Sequence, residues 1–158
     1  MPAEQIEDKP YNEGTLTKLD LFQLYARAWL PVFTSRPDPS WKRLHVFDFF
    51  AGRGRDCEGN PGSPTRLLTE IRTRWDEIRQ KSLAVTLTAC DSSLEKIQSL
   101  TEYFKQENLL PHGLTFDPHS GEFSTTFERY LPTLQNRDVA CLGLCWTNTG
   151  SNRWTQLK

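Results

Sequence analysis

The chain has 158 residues, 37% of them hydrophobic and 25% charged, and a formal net charge of −1. That length and composition fit one globular domain able to bury a substantial core. The balanced charge gives no overall footprint for nucleic acid or an anionic membrane, though it is compatible with a small local basic patch. No apolar run approaches the roughly 20 residues needed to span a bilayer.

The first stretch, MPAEQIEDKPYNEG, is polar and lacks the apolar core of a signal peptide. It reads as a disordered arm over residues 1–14, and the chain reads as cytoplasmic. Cys57, Cys90, Cys141 and Cys145 show no CxxC spacing, and Cys90 and Cys141 read as small buried residues of apolar strands. From Thr17 the pattern turns helical, with Thr17 and Asp20 as a capping pair. Leu19, Phe22, Ala26, Trp29 and Phe33 then share one face. The prolines of SRPDPS, residues 35–40, end that helix.

LHVFDFF, residues 44–50, is apolar on both faces, as a central parallel strand would be. A glycine-containing loop follows over 51–62. Ser63 and Pro64 supply an N-cap and a proline in the first turn. Leu67, Ile71, Trp75 and Ile78 mark a single helix over 64–80. Its arginines and acids, Arg66 and Glu70 among them, read as a solvated face. LAVTLTAC, 83–90, is a second strand rich in β-branched residues and ends against Asp91. Ser92 and Glu95 form a capping box for the next helix, whose core face is Leu94, Ile97, Leu100 and Phe104. GLTF, 113–116, is a short third strand. Phe123, Phe127, Tyr130 and Leu134 mark another helix, and DVACLGL, 138–144, a fourth strand.

This alternation predicts an α/β fold with an open, mainly parallel sheet. Such sheets bind ligands past the carboxyl ends of their strands. That rule points to residues 48–58, 91–92, 117–123 and 145 onward.

The informative stretch is DFFAGRGRDCEGNPGSP, residues 48–64. Glycine there lets backbone approach a ligand that a Cβ would block, and free amides near a helix start favour an anionic group. Three readings compete. A dinucleotide fingerprint wants a third glycine where Cys57 stands and a shorter loop. A phosphate-gripping P-loop wants GK[ST], which the chain lacks. A site for S-adenosylmethionine uses the glycine turn for the methionine end of the cofactor, with Asp48 receiving its ammonium. Asp91, with two acceptor oxygens, would then meet the two ribose hydroxyls. Asp91 also reads as a plain helix cap. Glu122 reads either as an adenine-side acceptor or as a first-turn acid complementing a helix dipole.

HVFDFFAGRGR followed by GNPGSP resembles the three-Cys-motif partner family, a branch of class I S-adenosylmethionine-dependent methyltransferase-like proteins. The leading helix TKLDLFQLYARAWLPVF is also similar, and the resemblance runs over roughly residues 15–144. It implies a Rossmann-like sheet with helices on both faces. It also implies a cofactor site drawn from Asp48, Phe50, Ala51, Gly52, Gly54, Asp91, Ser92 and Glu122. The family is named for association with a separate protein carrying three cysteines, which implies such a partner here. The resemblance implies no methyl acceptor and no catalytic residue.

Family resemblance also implies a motif such as Leu-Asp-Gln-Tyr-Gly after the fourth strand, where this chain has CWTNTGSNRW. Read from the last base of the Cys145 codon, the genetic code forces Leu then Asp. It next permits Gln, then Tyr or His, then Gly. The sequence therefore predicts that residues from about 143 are out of frame and that 145–158 is a non-native tail. The domain would then be C-terminally incomplete, poorly soluble and inactive. Two other classes stay open: a non-catalytic interaction module, and a nucleic-acid binder using Arg53, Arg55 and the arginines of 66–79. His45, His112 and His119 are scattered, so no metal-ligand set is assigned.

Overall fold

The computed structural model describes residues 9–144. The expectations for residues 1–8 and for the tail from 145 fall outside them. In chain order the elements are α1 (Glu13–Trp29), α2 (Pro31–Thr34), β1 (Arg43–Asp48), α3 (Ser63–Thr73), α4 (Trp75–Gln80), β2 (Ala84–Asp91), α5 (Leu94–Gln106), β3 (Thr115–Ser120), α6 (Phe123–Leu134) and β4 (Val139–Leu144).

The four strands form one all-parallel sheet in the order β3-β2-β1-β4. This is the open, parallel α/β sheet that the alternation predicts, and it is consistent with a Rossmann-like arrangement. Successive side chains of β1 point to opposite faces. Leu44 and Val46 enter a large core with Val85, Leu87, Ala140 and Leu142, closed by residues of α1 to α5. Phe47, with Phe49 just past the strand end, enters a smaller core with Cys90, Tyr130 and Leu134, closed by α6. Helices therefore flank both faces, unequally.

Several local expectations shift. Helix α1 begins at Glu13, inside the expected arm, because the Asn12 side chain accepts from the Thr15 N–H at 2.8 Å. Thr17 and Asp20 lie within the helix rather than at its start. The single helix expected over 64–80 breaks at Arg74 (φ −108°, ψ 14°). Two hydroxyls, Thr69 and Thr73, bond back to the carbonyls of Thr65 and Thr69, each at 2.9 Å, a contact that bends helices. The third strand lies further along than GLTF and contains Pro118. It pairs with β2 alone, and an edge strand tolerates proline. The cap of α5 is Ser93 rather than Ser92, its hydroxyl accepting from the Lys96 N–H at 3.3 Å.

The charged side of α3 is not a solvated face. Glu70 is buried. It accepts from Gln23 Nε2 at 2.7 Å and from the Arg27 guanidinium at 2.8 and 3.2 Å. Arg66 reaches Asp20 at 2.5 Å and the Pro61 carbonyl at 2.9 Å. These bonds lock α1 onto α3, and α3 starts directly after the glycine loop.

Candidate ligand site at the carboxyl ends of the strands

β1 and β2 run side by side and each ends in an aspartate. Asp48 is 2% exposed. Its Oδ1 accepts from the Phe50 N–H at 3.1 Å, while Oδ2 is buried with no hydrogen-bond partner of standard geometry. Burial pushes the Asp48 pKa up to about 6, helped by the charge of Asp91 and opposed by Ser63 and the Phe50 amide. No backbone N–H reaches Oδ2, and Ser63 is the side chain beside the carboxylate that opposes its burial, so this oxygen retains capacity for a further donor.

The turn after β1 is pinned to β2. The Ala51 N–H donates to the Cys90 carbonyl at 2.8 Å. Gly52 takes φ +61°, a left-handed conformation that favours glycine, and its N–H donates to Asp91 Oδ2 at 3.1 Å. Asp91 Oδ1 accepts from the Ser93 N–H at 2.9 Å. Each oxygen thus holds one backbone donor and keeps a further lone pair. The Asp91 carbonyl accepts from the Gly121 N–H at 3.0 Å, which brings the β3–α6 turn alongside.

Around this centre the structure gathers most of the residues that the sequence singles out. Ala51 and Gly52 are buried, Asp91 is half-buried, and Ser92 is exposed next to it. Phe50 is 38% exposed; its ring stacks on Phe123 with centroids 5.4 Å apart. Glu122 is exposed at the N-cap of α6 and makes no side-chain cap bond. Gly54 serves a different purpose. A Cβ there would lie 2.5 Å from Leu100 Cδ1 and 3.1 Å from Thr65 Oγ1. Its carbonyl accepts from Thr65 Oγ1 at 2.5 Å and from the Gly62 N–H at 2.8 Å. Gly54 is where the loop squeezes between α3 and α5.

Sequence reasoning missed Asp56, which fastens the loop. Its carboxylate accepts from the N–H groups of Tyr11, Glu58 and Asn60 and from Asn60 Nδ2, at 2.8–2.9 Å. Burial pushes its pKa up, but the Asn60 amide and the three backbone donors outweigh that and hold it below its ordinary value. The local signal was an aspartate followed by Gly59 and Asn60, an Asx-turn composition.

Two further features flank the site. A cleft of about 340 Å³ opens between the loop and α5, lined by Arg53, Arg55, Cys57, Ser99 and Tyr103 among others; neither Asp48 nor Asp91 lines it. Beneath α6 a polar chain crosses the sheet. His45 Nε2 lies 2.7 Å from Thr88 Oγ1, which donates to Asp117 Oδ2 at 3.2 Å, and the Tyr130 hydroxyl donates to the same oxygen at 2.6 Å. Burial lowers the His45 pKa to about 4, so the ring is neutral at pH 7; α6 joins this chain through the Tyr130 hydroxyl on Asp117.

No family model and no curated protein matches this chain. Among the described residues, no group of three or more His, Cys, Asp or Glu is placed to hold a metal ion. No helix among them is long and apolar enough to cross a membrane.

Proposed function

We propose that this chain carries an S-adenosylmethionine-binding, methyltransferase-like domain similar to the three-Cys-motif partner proteins. The observation that carries the reading is the buried Asp48 carboxylate, with one oxygen held by no backbone donor, at the end of the strand beside the one that ends in Asp91. An ammonium group suits that oxygen, since a cation there offsets the desolvation of the carboxylate. The spare lone pairs of Asp91 suit adjacent hydroxyls, and the Phe50–Phe123 stack offers a surface for a planar ring. Dinucleotide binding lacks the short glycine-to-helix connection, because the loop here runs through Asp56 and a bridge between Arg55 and Pro61 before α3.

When bound, the cofactor would supply an activated methyl group on a sulfonium. In this reading Asp48 holds the amino acid end and Asp91 orients the ribose. The Gly52 turn admits the ligand against bare backbone. The methyl acceptor is open, and a separate three-cysteine protein is the partner that the family resemblance suggests.

Calorimetric titration of S-adenosylmethionine into the 158-residue chain tests this, with Asp91→Asn and Asp48→Asn alongside. Saturable binding that each substitution weakens by at least about tenfold, a loss on the scale of one charge-assisted hydrogen bond, supports it. Folded wild-type protein that does not bind, or binding indifferent to both substitutions, overturns it. The second reading, a non-catalytic interaction module, draws on the exposed apolar stripe Leu21, Leu24, Tyr25 and Val32 along α1 and α2. It would gain from a folded protein that binds no cofactor.

A further inference from the structure

The opposite end of the sheet has a different chemistry. β1 begins at Arg43, which pairs in register with Ala84 of β2 and Val139 of β4. Just before it stands Trp41. Its indole N–H donates to the Arg137 carbonyl at 3.0 Å, and its ring meets the edge of Phe33 at 5.7 Å. The ring is held on two sides and is still 37% exposed. Arg36, Lys42, Arg43 and Arg137 are all exposed at this end, against Asp38 and Asp138.

Bland employment accounts for only part of this charge. Lys42 pairs with Asp38 at 3.3 Å, and the nearby Lys81 ammonium caps α2 through the Thr34 carbonyl. The guanidinium groups of Arg36, Arg43 and Arg137 enter no ion pair among the described residues. Three exposed arginines without ion pairs thus stand in the chain segments that meet at one immobilised aromatic ring, in a chain whose net charge is −1.

We infer that this amino-terminal end of the sheet is a docking surface for single-stranded nucleic acid. One base stacks on Trp41, and Arg36, Arg43 and Arg137 hold the neighbouring phosphates. Guanidinium groups suit phosphate because they present paired donors in one plane. A fixed, half-exposed aromatic ring is the sequence-tolerant platform that such sites use. The surface lies at the other end of the strands from Asp48 and Asp91. It therefore tethers a strand and does not present a base to the candidate cofactor site, and it stands whether or not that site binds S-adenosylmethionine.

Fluorescence anisotropy with a labelled oligothymidylate of about 12 nucleotides tests the inference. The 158-residue chain should bind it, and Trp41→Leu should weaken binding about tenfold, the loss of one base–aromatic stack. Changing Arg36, Arg43 and Arg137 together to Gln should abolish most binding and flatten the log–log salt dependence by about 2, the counterions of three phosphates. Lys18→Gln, an exposed lysine on α1, should change nothing. Circular dichroism of each variant establishes that it is folded; all the substitutions are at exposed positions. No binding by wild-type protein overturns the inference. So does equal loss with Lys18→Gln, or binding to phosphatidylserine vesicles that exceeds binding to the oligonucleotide.

Discussion

At the scale of single residues, Asp48 is the group whose behaviour most directly reports on the site. Its folded pKa, about 6, lies above the ordinary aspartate value. Between about 4 and 6 the unfolded chain has ionised this group while the folded chain keeps its proton, so stability falls as pH rises through that window. Above about 6 the folded chain carries the full penalty, on the order of 3 kcal/mol for a shift of roughly two units. Urea titrations across this range should show Asp48→Asn removing the fall. If the cation that Asp48 receives is the cofactor's ammonium, affinity should tighten as pH rises toward about 6 and level off above it, with proton release on binding below about 6. Gly54 makes a second prediction. At φ +79°, with Leu100 2.5 Å from the position of a Cβ, Gly54→Ala combines left-handed strain with overpacking. It should lower unfolding free energy by about 2–4 kcal/mol in denaturant titrations. The carboxylates at 48 and 91 were legible because they end apolar runs. The work of Gly54 was not, because a sequence does not show what occupies the space of an absent Cβ.

Among the elements, α3 illustrates how half a helix can be read. Its apolar stripe was evident from spacing, and Leu67 and Ile71 are buried as that spacing predicts. The charged side looked like a face for water. Its neighbour is α1, whose residues lie more than forty positions earlier, and a periodic pattern carries no information about such a partner. Glu70 is held below its ordinary pKa by its hydrogen bond to Arg27, against burial, with Gln23 assisting. That stabilisation is present above the unfolded glutamate pKa and is lost as pH falls through the lower folded value. Glu70→Ala should destabilise the chain by about 1–3 kcal/mol at neutral pH. Glu70→Gln should also reduce the acid-side loss, as thermal melts at successive pH values would reveal. β3 was misplaced for a related reason: its polar and proline residues suit an edge strand and resemble a loop when read alone.

Across the whole molecule the two faces of the sheet are unequal. Helices α1 to α5 bury one face in a broad apolar cluster. Among the described residues α6 covers the other, through a few aromatic rings and the Tyr130–Asp117 bond. Regions with fewer buried apolar contacts open at lower free energy. In native-state hydrogen exchange the amides of α6 should therefore exchange before those of α3 and α5. Equal protection on both faces would contradict that ordering. The alternation of strands and helices made the parallel sheet legible, but the imbalance between its faces emerges only from three-dimensional packing.

Asp56 joins two parts of the chain that would otherwise be separate concerns. Its carboxylate takes one donor from the backbone of Tyr11, 45 residues earlier, and three from its own loop. Tyr11 also packs against the main core, and its hydroxyl lies 2.9 Å from where a Cβ of Gly62 would stand. Trimming the chain back to Asn12 would keep every helix and strand of the described residues. It would also leave a buried carboxylate one donor short, a few residues from the Gly52 turn. A domain boundary drawn by secondary structure would thus cut through the latch of the loop, and a shortened form could fold well while losing the shape of its ligand site.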